Sequence, residues 1–157
     1  MAEYGTNGVQ TIAPGGFAVF DLTLIPCPNN FVRHSDGTTN FILSGWVPYA
    51  ANVCPCRNRD VSAEYLVDLG ANIALAEGAT VEPISMVITV DGSPLPLSTM
   101  LVTPAAVGDY FNIARSLTVD IFNGCCQSLA VQNNSAQSIT LQNGLIRFAR
   151  PDLYATR

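Results

Sequence analysis

Between Val61 and Leu75 every odd-numbered residue is apolar: Val61, Ala63, Tyr65, Val67, Leu69, Ala71, Ile73 and Leu75. The residues between them include Ser62, Glu64, Asp68, Gly70 and Asn72. A helix would scatter those apolar side chains around its axis, whereas a strand sends alternate residues to opposite faces and gathers them on one. The stretch therefore predicts one long half-buried strand, or two strands bent at Gly70. Few folds accommodate such an element except a sheet with one face against a core.

The same period recurs along the chain. Ala18, Phe20, Leu22 and Leu24 form one phase, and Ile84, Met86, Ile88 and Val90 another. Leu117, Val119 and Ile121 alternate with polar residues, as do Leu129 with Val131 and Ile139 with Leu141. Gly144 marks an expected bulge ahead of Ile146 and Phe148. Turn-forming pairs separate the runs at Asp36-Gly37, Glu77-Gly78, Asp91-Gly92, Asn123-Gly124 and Asn143-Gly144. Asp91-Gly92 and Asn123-Gly124 have the chemistry of two-residue hairpin turns, because Gly takes positive φ at no steric cost. Only Pro104 to Ala114 has the makings of a short helical turn. About ten short strands with turn chemistry between them predict an all-β, two-sheet antiparallel sandwich of jelly-roll type with negligible helix.

The chain has 157 residues, which suits one domain with one core. Residues 1–16, polar and glycine-rich, read as an N-terminal arm or first edge strand (Val9 to Ala13), and residues 17–157 as the jelly-roll domain. Charged residues are 12% of the sequence, about half the ~25% usual in soluble domains, and hydrophobic residues are 48%. Gly, Pro, Asn or Asp interrupts every apolar run before the ~18 residues a membrane span needs. Leu66, Val87, Phe122 and Leu145 fall in the phase opposite to the core set. Strands apolar on both faces are covered on both, so a second copy of the chain is the expected partner.

Several function classes are excluded by residue type. All seven basic residues are arginine, which removes a Schiff-base lysine and a phosphate-loop lysine. A net charge of −5 without a basic cluster predicts no nucleic-acid partner and no anionic-membrane anchor. The N-terminus lacks the basic and apolar segments of a secretory signal, so the glycosylation triplet Asn133-Asn134-Ser135 is expected to be idle. His34, the sole histidine, is expected on an exposed loop, with no local nucleophile and carboxylate to complete a triad. Asp60, Glu64 and Asp68 lie on one outward face of the predicted strand, where a solvated face explains them better than a glycosidase pair. The expectation is a protein without catalytic residues and without a cofactor.

The cysteines are the distinctive chemistry. Cys27 stands alone between two prolines, Cys54 and Cys56 flank Pro55, and Cys125 and Cys126 are adjacent. Cys54, Cys56, Cys125 and Cys126 are compatible with a zinc site, with disulfides between the pairs, or with free thiols. Their spacing is tighter than the usual zinc pattern of about two to four intervening residues. Alternate loops of a jelly roll cluster at one end, which predicts that the two pairs approach within bridging or shared-metal reach.

Two segments carry a resemblance. The first is Gly70-Ala71-Asn72-Ile73-Ala74 with Pro83-Ile84-Ser85-Met86-Val87-Ile88-Thr89-Val90-Asp91-Gly92. The second is Val102-Thr103-Pro104-Ala105-Ala106-Val107 through Asp109-Tyr110-Phe111-Asn112, then Gly124-Cys125-Cys126 and Ile139-Thr140-Leu141-Gln142-Asn143. Both resemble proteins of gut Firmicutes and their phages whose bodies are tumour-necrosis-factor/complement-type trimeric jelly rolls. Gln10-Thr11-Ile12-Ala13-Pro14-Gly15-Gly16 is similar to the first strand of such domains in phage head fibres and spore-surface proteins. The resemblance implies a homotrimer serving as a capsid decoration or head-fibre component on a virion. The N-terminal arm would contact the shell and the loops would face outward. No collagen-like stalk is present, which favours the virion over the bacterial cell surface. The alternative is a carbohydrate- or receptor-binding module that takes a host-surface glycan, for which Trp46, Tyr49, Tyr65 and Tyr110 are the candidate aromatics.

Overall fold

The computed structural model describes residues 1–47, 62–124 and 126–151. Twelve strands are formed among them: β1 (Ala2–Gly5), β2 (Gln10–Ile12), β3 (Leu22–Ile25), β4 (Val32–Arg33), β5 (Phe41–Leu43), β6 (Ser62–Leu75), β7 (Ile84–Val90), β8 (Ser93–Pro94), β9 (Met100–Val102), β10 (Phe111–Phe122), β11 (Gln127–Asn133) and β12 (Ile139–Ala149). Sheet A has the order β10-β6-β12-β1-β3, with β2 also pairing with β12. Sheet B has the order β4-β5-β11-β7-β8, with β9 also pairing with β7. All pairings are antiparallel, and the two sheets form a jelly-roll sandwich.

The long alternating segment is a single unbroken strand. β6 pairs with β10 from Ser62 opposite Phe122 to Ile73 opposite Phe111 without a shift at Gly70. Its odd residues Ala63 to Leu75 are buried, as their period requires. On the other side of β6, the register with β12 shifts between Gln142 and Leu145, the bulge expected at Asn143-Gly144. Asn143 takes the positive φ there. Gly144 is needed for close approach instead: a Cβ on it would lie 3.0 Å from Thr6 Cγ2 and 3.1 Å from Leu141 Cδ2. Thr6 and Gly144 also exchange hydrogen bonds, Gly144 N–H to Thr6 Oγ1 at 2.8 Å and Thr6 N–H to the Gly144 carbonyl at 2.9 Å.

Between the sheets, Tyr4, Phe20, Phe41 and Phe148 cluster with ring centroids 5.0–6.3 Å apart, inside a core that also holds Ala2, Leu43, Val67, Met86 and Ile146. Tyr4 and Ala2 belong to the segment read as an arm. Residues 1–16, read as an arm or as an edge strand from Val9 to Ala13, supply β1 and β2 (Gln10–Ile12), because hydrogen bonding to β12 and burial of Ala2, Tyr4 and Ile12 draw the segment into sheet A.

Three local expectations need correction. Asp91-Gly92 does form the two-residue turn of the β7–β8 hairpin, with φ of 49° and 77°. Asn123-Gly124 does not form a hairpin: β10 lies in sheet A and β11 in sheet B, so the chain crosses between layers at that point. The described helical element is a 3-10 turn at Pro96–Ser98, seeded by the fixed φ of Pro96, while Phe111 to Ala114 are already in β10. The alternation of residues 18–24 holds only for Ala18 and Phe20. Leu22 and Leu24 are exposed on β3, the edge strand of sheet A.

Candidate functional site

The outward face of sheet A is set by the residues that alternate with its core. On β6 these are Glu64, Leu66, Asp68 and Gly70, and on β10 Ala114, Ser116, Thr118, Asp120 and Phe122. On β12 they include Leu145, Arg147 and Ala149, which pair with Gly70, Asp68 and Leu66. On β1, Glu3 and Gly5 face the same way, and β3 adds Ile25 opposite Glu3 and Leu22 opposite Gly5. Leu24 sits at the irregularity between those two pairs, its Cδ1 3.4 Å from the place a Gly5 Cβ would occupy.

This face is apolar at its margins and along a central row of small residues. Phe122 is 77% exposed, Leu24 51% and Leu66 38%. Ala114, Gly70 and Gly5 leave the middle flat, with Leu145 half-buried between β6 and β1. Of its charged residues Glu3, Glu64, Asp68, Asp120 and Arg147, one pair is neutralised within the chain. Arg147 Nε donates to Glu3 Oε2 at 3.1 Å, and Ser116 Oγ donates to Asp68 Oδ1 at 2.6 Å. Glu64 and Asp120 stand directly opposite each other, a like-charge pair across β6 and β10.

Sheet B differs. On β7 the residues of the outward phase, Ser85, Val87 and Thr89, are buried by the chain itself, with Val87 1% exposed. Leu66, Leu145 and Phe122 thus remain on an outer surface, whereas Val87, read from sequence with them, needs no partner chain.

The remaining sequence candidates separate in space. Tyr65 is a core residue and not a surface aromatic. Its hydroxyl lies 2.8 Å from the carbonyls of Phe31 and Ser44, and the Arg150 guanidinium sits 5.1 Å from its ring centroid. Burial pushes the Tyr65 phenol up to about 12 although the Arg150 charge opposes it. Trp46 and Tyr110 are exposed but lie at opposite ends of the sandwich. Trp46 follows β5, whose Leu43 pairs with Gln127, while Tyr110 precedes Phe111, which pairs with Ile73. Tyr49 lies outside the described residues, so the described aromatics do not converge on a single glycan platform.

His34 is no free loop histidine. It is half-buried, stacked on Phe41 at 4.2 Å, with Nδ1 2.9 Å from the Asn40 carbonyl and Nε2 3.0 Å from the Phe20 carbonyl. Glu64 and Asp68 occupy the open outward face, with no cleft between them, and Asp60 is outside the described residues.

Cys54, Cys56 and Cys125 also lie outside the described residues. The strand ends that lead to them do meet, since Ser62 at the start of β6 pairs with Phe122 at the end of β10. Cys126 is a half-buried free thiol whose sulfur accepts from Arg33 Nη2 at 3.1 Å, and Cys27 is a second half-buried free thiol. Among the described residues no group of His, Cys, Asp and Glu is placed to hold a metal ion. Among them, too, no helix is long and apolar enough to cross a membrane.

Sequence reasoning missed Leu22, Leu24 and Ile25 as surface residues, and it missed Arg150, which is 1% exposed. The adjacent pair Leu24-Ile25 breaks the alternation and was the signal available for β3. Nothing local in the sequence marks Arg150 as buried.

No protein-family model matches the chain, and none of the curated proteins does. Solved structures do resemble it. Eiger TNF from S. frugiperda is 13% identical, with a TM-score of 0.61 over 95% of this chain and 90% of that one. The C-terminal domain of EclA, a sugar-binding protein, is 13% identical with a TM-score of 0.35, over 73% of this chain and 82% of that one. The CBM22-1 xylan-binding domain of Paenibacillus barcinonensis Xyn10C is 13% identical with a TM-score of 0.33, over 94% and 86% of the two chains. At these identities the likeness is one of fold. It places the chain's architecture with the TNF-type jelly roll, and the two weaker superpositions add nothing to that.

Proposed function

We propose that this chain is a non-catalytic structural module that assembles as a homotrimer through the outward face of sheet A and decorates a capsid or head fibre of a bacteriophage. The supporting observation is the flat, apolar outward face of sheet A, although the sheet B side also exposes Leu97 and Leu101 next to β7. Sheet B covers the outward residues of β7 within the chain, while sheet A leaves Leu22, Leu24, Ile25, Leu66 and Phe122 exposed around a flat row of Gly and Ala. Burial of apolar surface contributes about 25 cal/mol per Å², so a face of this kind favours association wherever a complementary surface is supplied. A closed ring of identical copies supplies one and ends the assembly. The virion setting rests on the sequence resemblance. With β1 and β2 built into sheet A, attachment to a shell would fall to exposed loops and not to an arm.

The reading is tested by placing one bulky charge on each sheet. Ala114→Arg, on the outward face of sheet A, is expected to convert the assembly to monomer without loss of the β-sheet circular dichroism spectrum. Thr99→Arg, beside the 3-10 turn on the sheet B side, is expected to leave the assembly intact. If Ala114→Arg assembles as the unmodified protein does, sheet A is not the contact face. The virion assignment is tested separately by peptide mass spectrometry of purified particles, from which the chain should be recovered in stoichiometric amount.

A further inference from the structure

We propose that the edge of sheet B carries a binding site for an acidic saccharide, a sugar bearing a single carboxylate, centred on Arg33. An open groove of about 420 Å³ is lined by Arg33, His34, Ser35, Thr38, Asn40 and Ile42. Its size falls in the range of about 300–1,000 Å³ typical of small-molecule sites, but its lining is polar where most such sites are apolar. A ligand rich in hydroxyl groups suits it better than an apolar one.

The charge of the site is set by Arg33. The chain carries a net charge of −5, yet among the described residues the one carboxylate ion pair is Arg147 with Glu3. Among the described residues Arg33, exposed on edge strand β4, meets no carboxylate. One of its nitrogens donates to the Cys126 sulfur at 3.1 Å, which steadies the guanidinium and leaves its other N–H groups for a ligand. A planar fork of N–H donors matches a carboxylate in two parallel hydrogen bonds. Asp36, in the turn that follows Ser35, accepts from Thr23 Oγ1 at 2.7 Å. Thr23 lines a neighbouring cavity of about 240 Å³ that shares Arg33 and His34 with this groove.

The rest of the wall fits a sugar ring. The Ser35 hydroxyl and the Asn40 amide have no partner among the described residues, and both are exposed. Thr38 Oγ1 gives its proton to the Ser35 carbonyl at 2.7 Å and so faces the groove as an acceptor. Ile42, half-buried and opposite Arg33 in the β4–β5 register, offers the one apolar patch, suited to the C–H face of a pyranose. His34 is a wall and not a donor, because both ring nitrogens already face backbone carbonyls. A single guanidinium compensates one negative charge, which favours a monoanionic sugar over a phosphate monoester. All six lining residues belong to β4, β5 or the connection between them, so the site stays open whether or not sheet A is covered. The inference does not depend on self-association.

The test is a titration of the full chain, followed by backbone amide NMR, with methyl β-D-glucuronoside and its uncharged counterpart methyl β-D-glucoside. Sodium acetate and sodium sulfate serve as ion controls. The glucuronoside is expected to shift the amides of Arg33, Ser35, Thr38 and Asn40, and to bind about tenfold or more tightly than the glucoside, acetate or sulfate. Arg33→Gln should weaken it by about tenfold or more with unchanged melting temperature and light-scattering mass. Asn40→Ala should weaken both sugars while keeping the preference for the acid. Equal affinity for both sugars, equal affinity for acetate or sulfate, shifts confined to other residues, or unchanged binding by Arg33→Gln would each overturn the proposal.

Discussion

Replacing Tyr65 by phenylalanine isolates one hydroxyl that ties three segments together. That hydroxyl lies 2.8 Å from the Phe31 and Ser44 carbonyls, and the Arg150 guanidinium above the ring donates from Nη1 to the Trp46 carbonyl at 2.9 Å. Tyr65→Phe keeps the ring and the cation–π contact but removes the hydroxyl, which donates to a carbonyl and also bonds the Arg150 side chain. The lost hydrogen bond is worth about 0.5–1.5 kcal/mol, and an orphaned buried carbonyl adds about 1–3 kcal/mol. Since Phe31 O also accepts from Ser44 N–H at 2.8 Å, the unsatisfied group is the Ser44 carbonyl, and the low end of both ranges applies. The expected loss is about 1.5 kcal/mol, or roughly 3–6 °C in melting temperature for a domain of this size. Tyr65→Ala, which also empties a fully buried ring site, is expected to cost about 3–5 kcal/mol. Urea unfolding followed by circular dichroism at one fixed protein concentration separates the two variants. The pair also makes a prediction in alkali. Burial raises the phenols of both Tyr65 and Tyr4 from 10.0 to about 12, for Tyr4 with help from Cys27 and Asp36. The folded state holds these protons more tightly than the unfolded state. Their contribution is therefore complete below pH ~10 and lost as pH rises toward about 12. Tyr65→Phe removes one of the two phenols, so its stability should fall less steeply over that window. A Tyr65→Phe variant within about 0.5 kcal/mol of the unmodified protein at pH 7, or with the same alkaline slope, would refute the reasoning.

Gly144→Ala should cost about 1–3 kcal/mol, because its new methyl meets Thr6 and Leu141 at the bulge; Thr6→Ala combined with it should recover part of the loss in a thermal melt. Asp120→Asn removes the like charge opposite Glu64 and should raise stability by about 0.2–1 kcal/mol at low salt, an effect that 1 M salt should largely erase. Cys126 should alkylate in the native protein without prior reduction, though more slowly than in urea; peptide mapping that finds it in a disulfide, or metal analysis that finds one zinc per chain, would contradict its placement.

The fold was legible from period and punctuation because a half-buried strand writes its two faces into alternate residues. β6 is the clearest case, with Ala63 to Leu75 all on the core side. What alternation cannot encode is which strand lies beside which. Asn123-Gly124 has hairpin chemistry but joins two layers, since the partners of β10 and β11 are β6 and β7, far away in sequence. Edge position was equally hidden: Leu22 and Leu24 have the right phase for a core but lie on a strand with a neighbour on one side only. Residues 1–16 are polar enough to read as an arm or an edge strand from Val9 to Ala13, and the strand from Ala2 to Gly5 shows only in its ladder with β12. The candidate site on sheet A was half legible. Leu66, Leu145 and Phe122 were found by their phase, while the row of Gly5, Gly70 and Ala114 that flattens the face comes from three strands and has no local signature. Arg33 has no local signature, since its lack of a carboxylate partner among the described residues is a fact of tertiary placement.

Self-association through sheet A is the central claim, and mass-resolved light scattering at micromolar concentration tests it most directly. The account predicts a species of about 50 kDa, three times the 16.7 kDa of one chain. That species should fall to monomer when Ala114→Arg is introduced. A stable, soluble species of 16.7 kDa for the unmodified protein would contradict the claim and remove the physical support for a trimeric decoration.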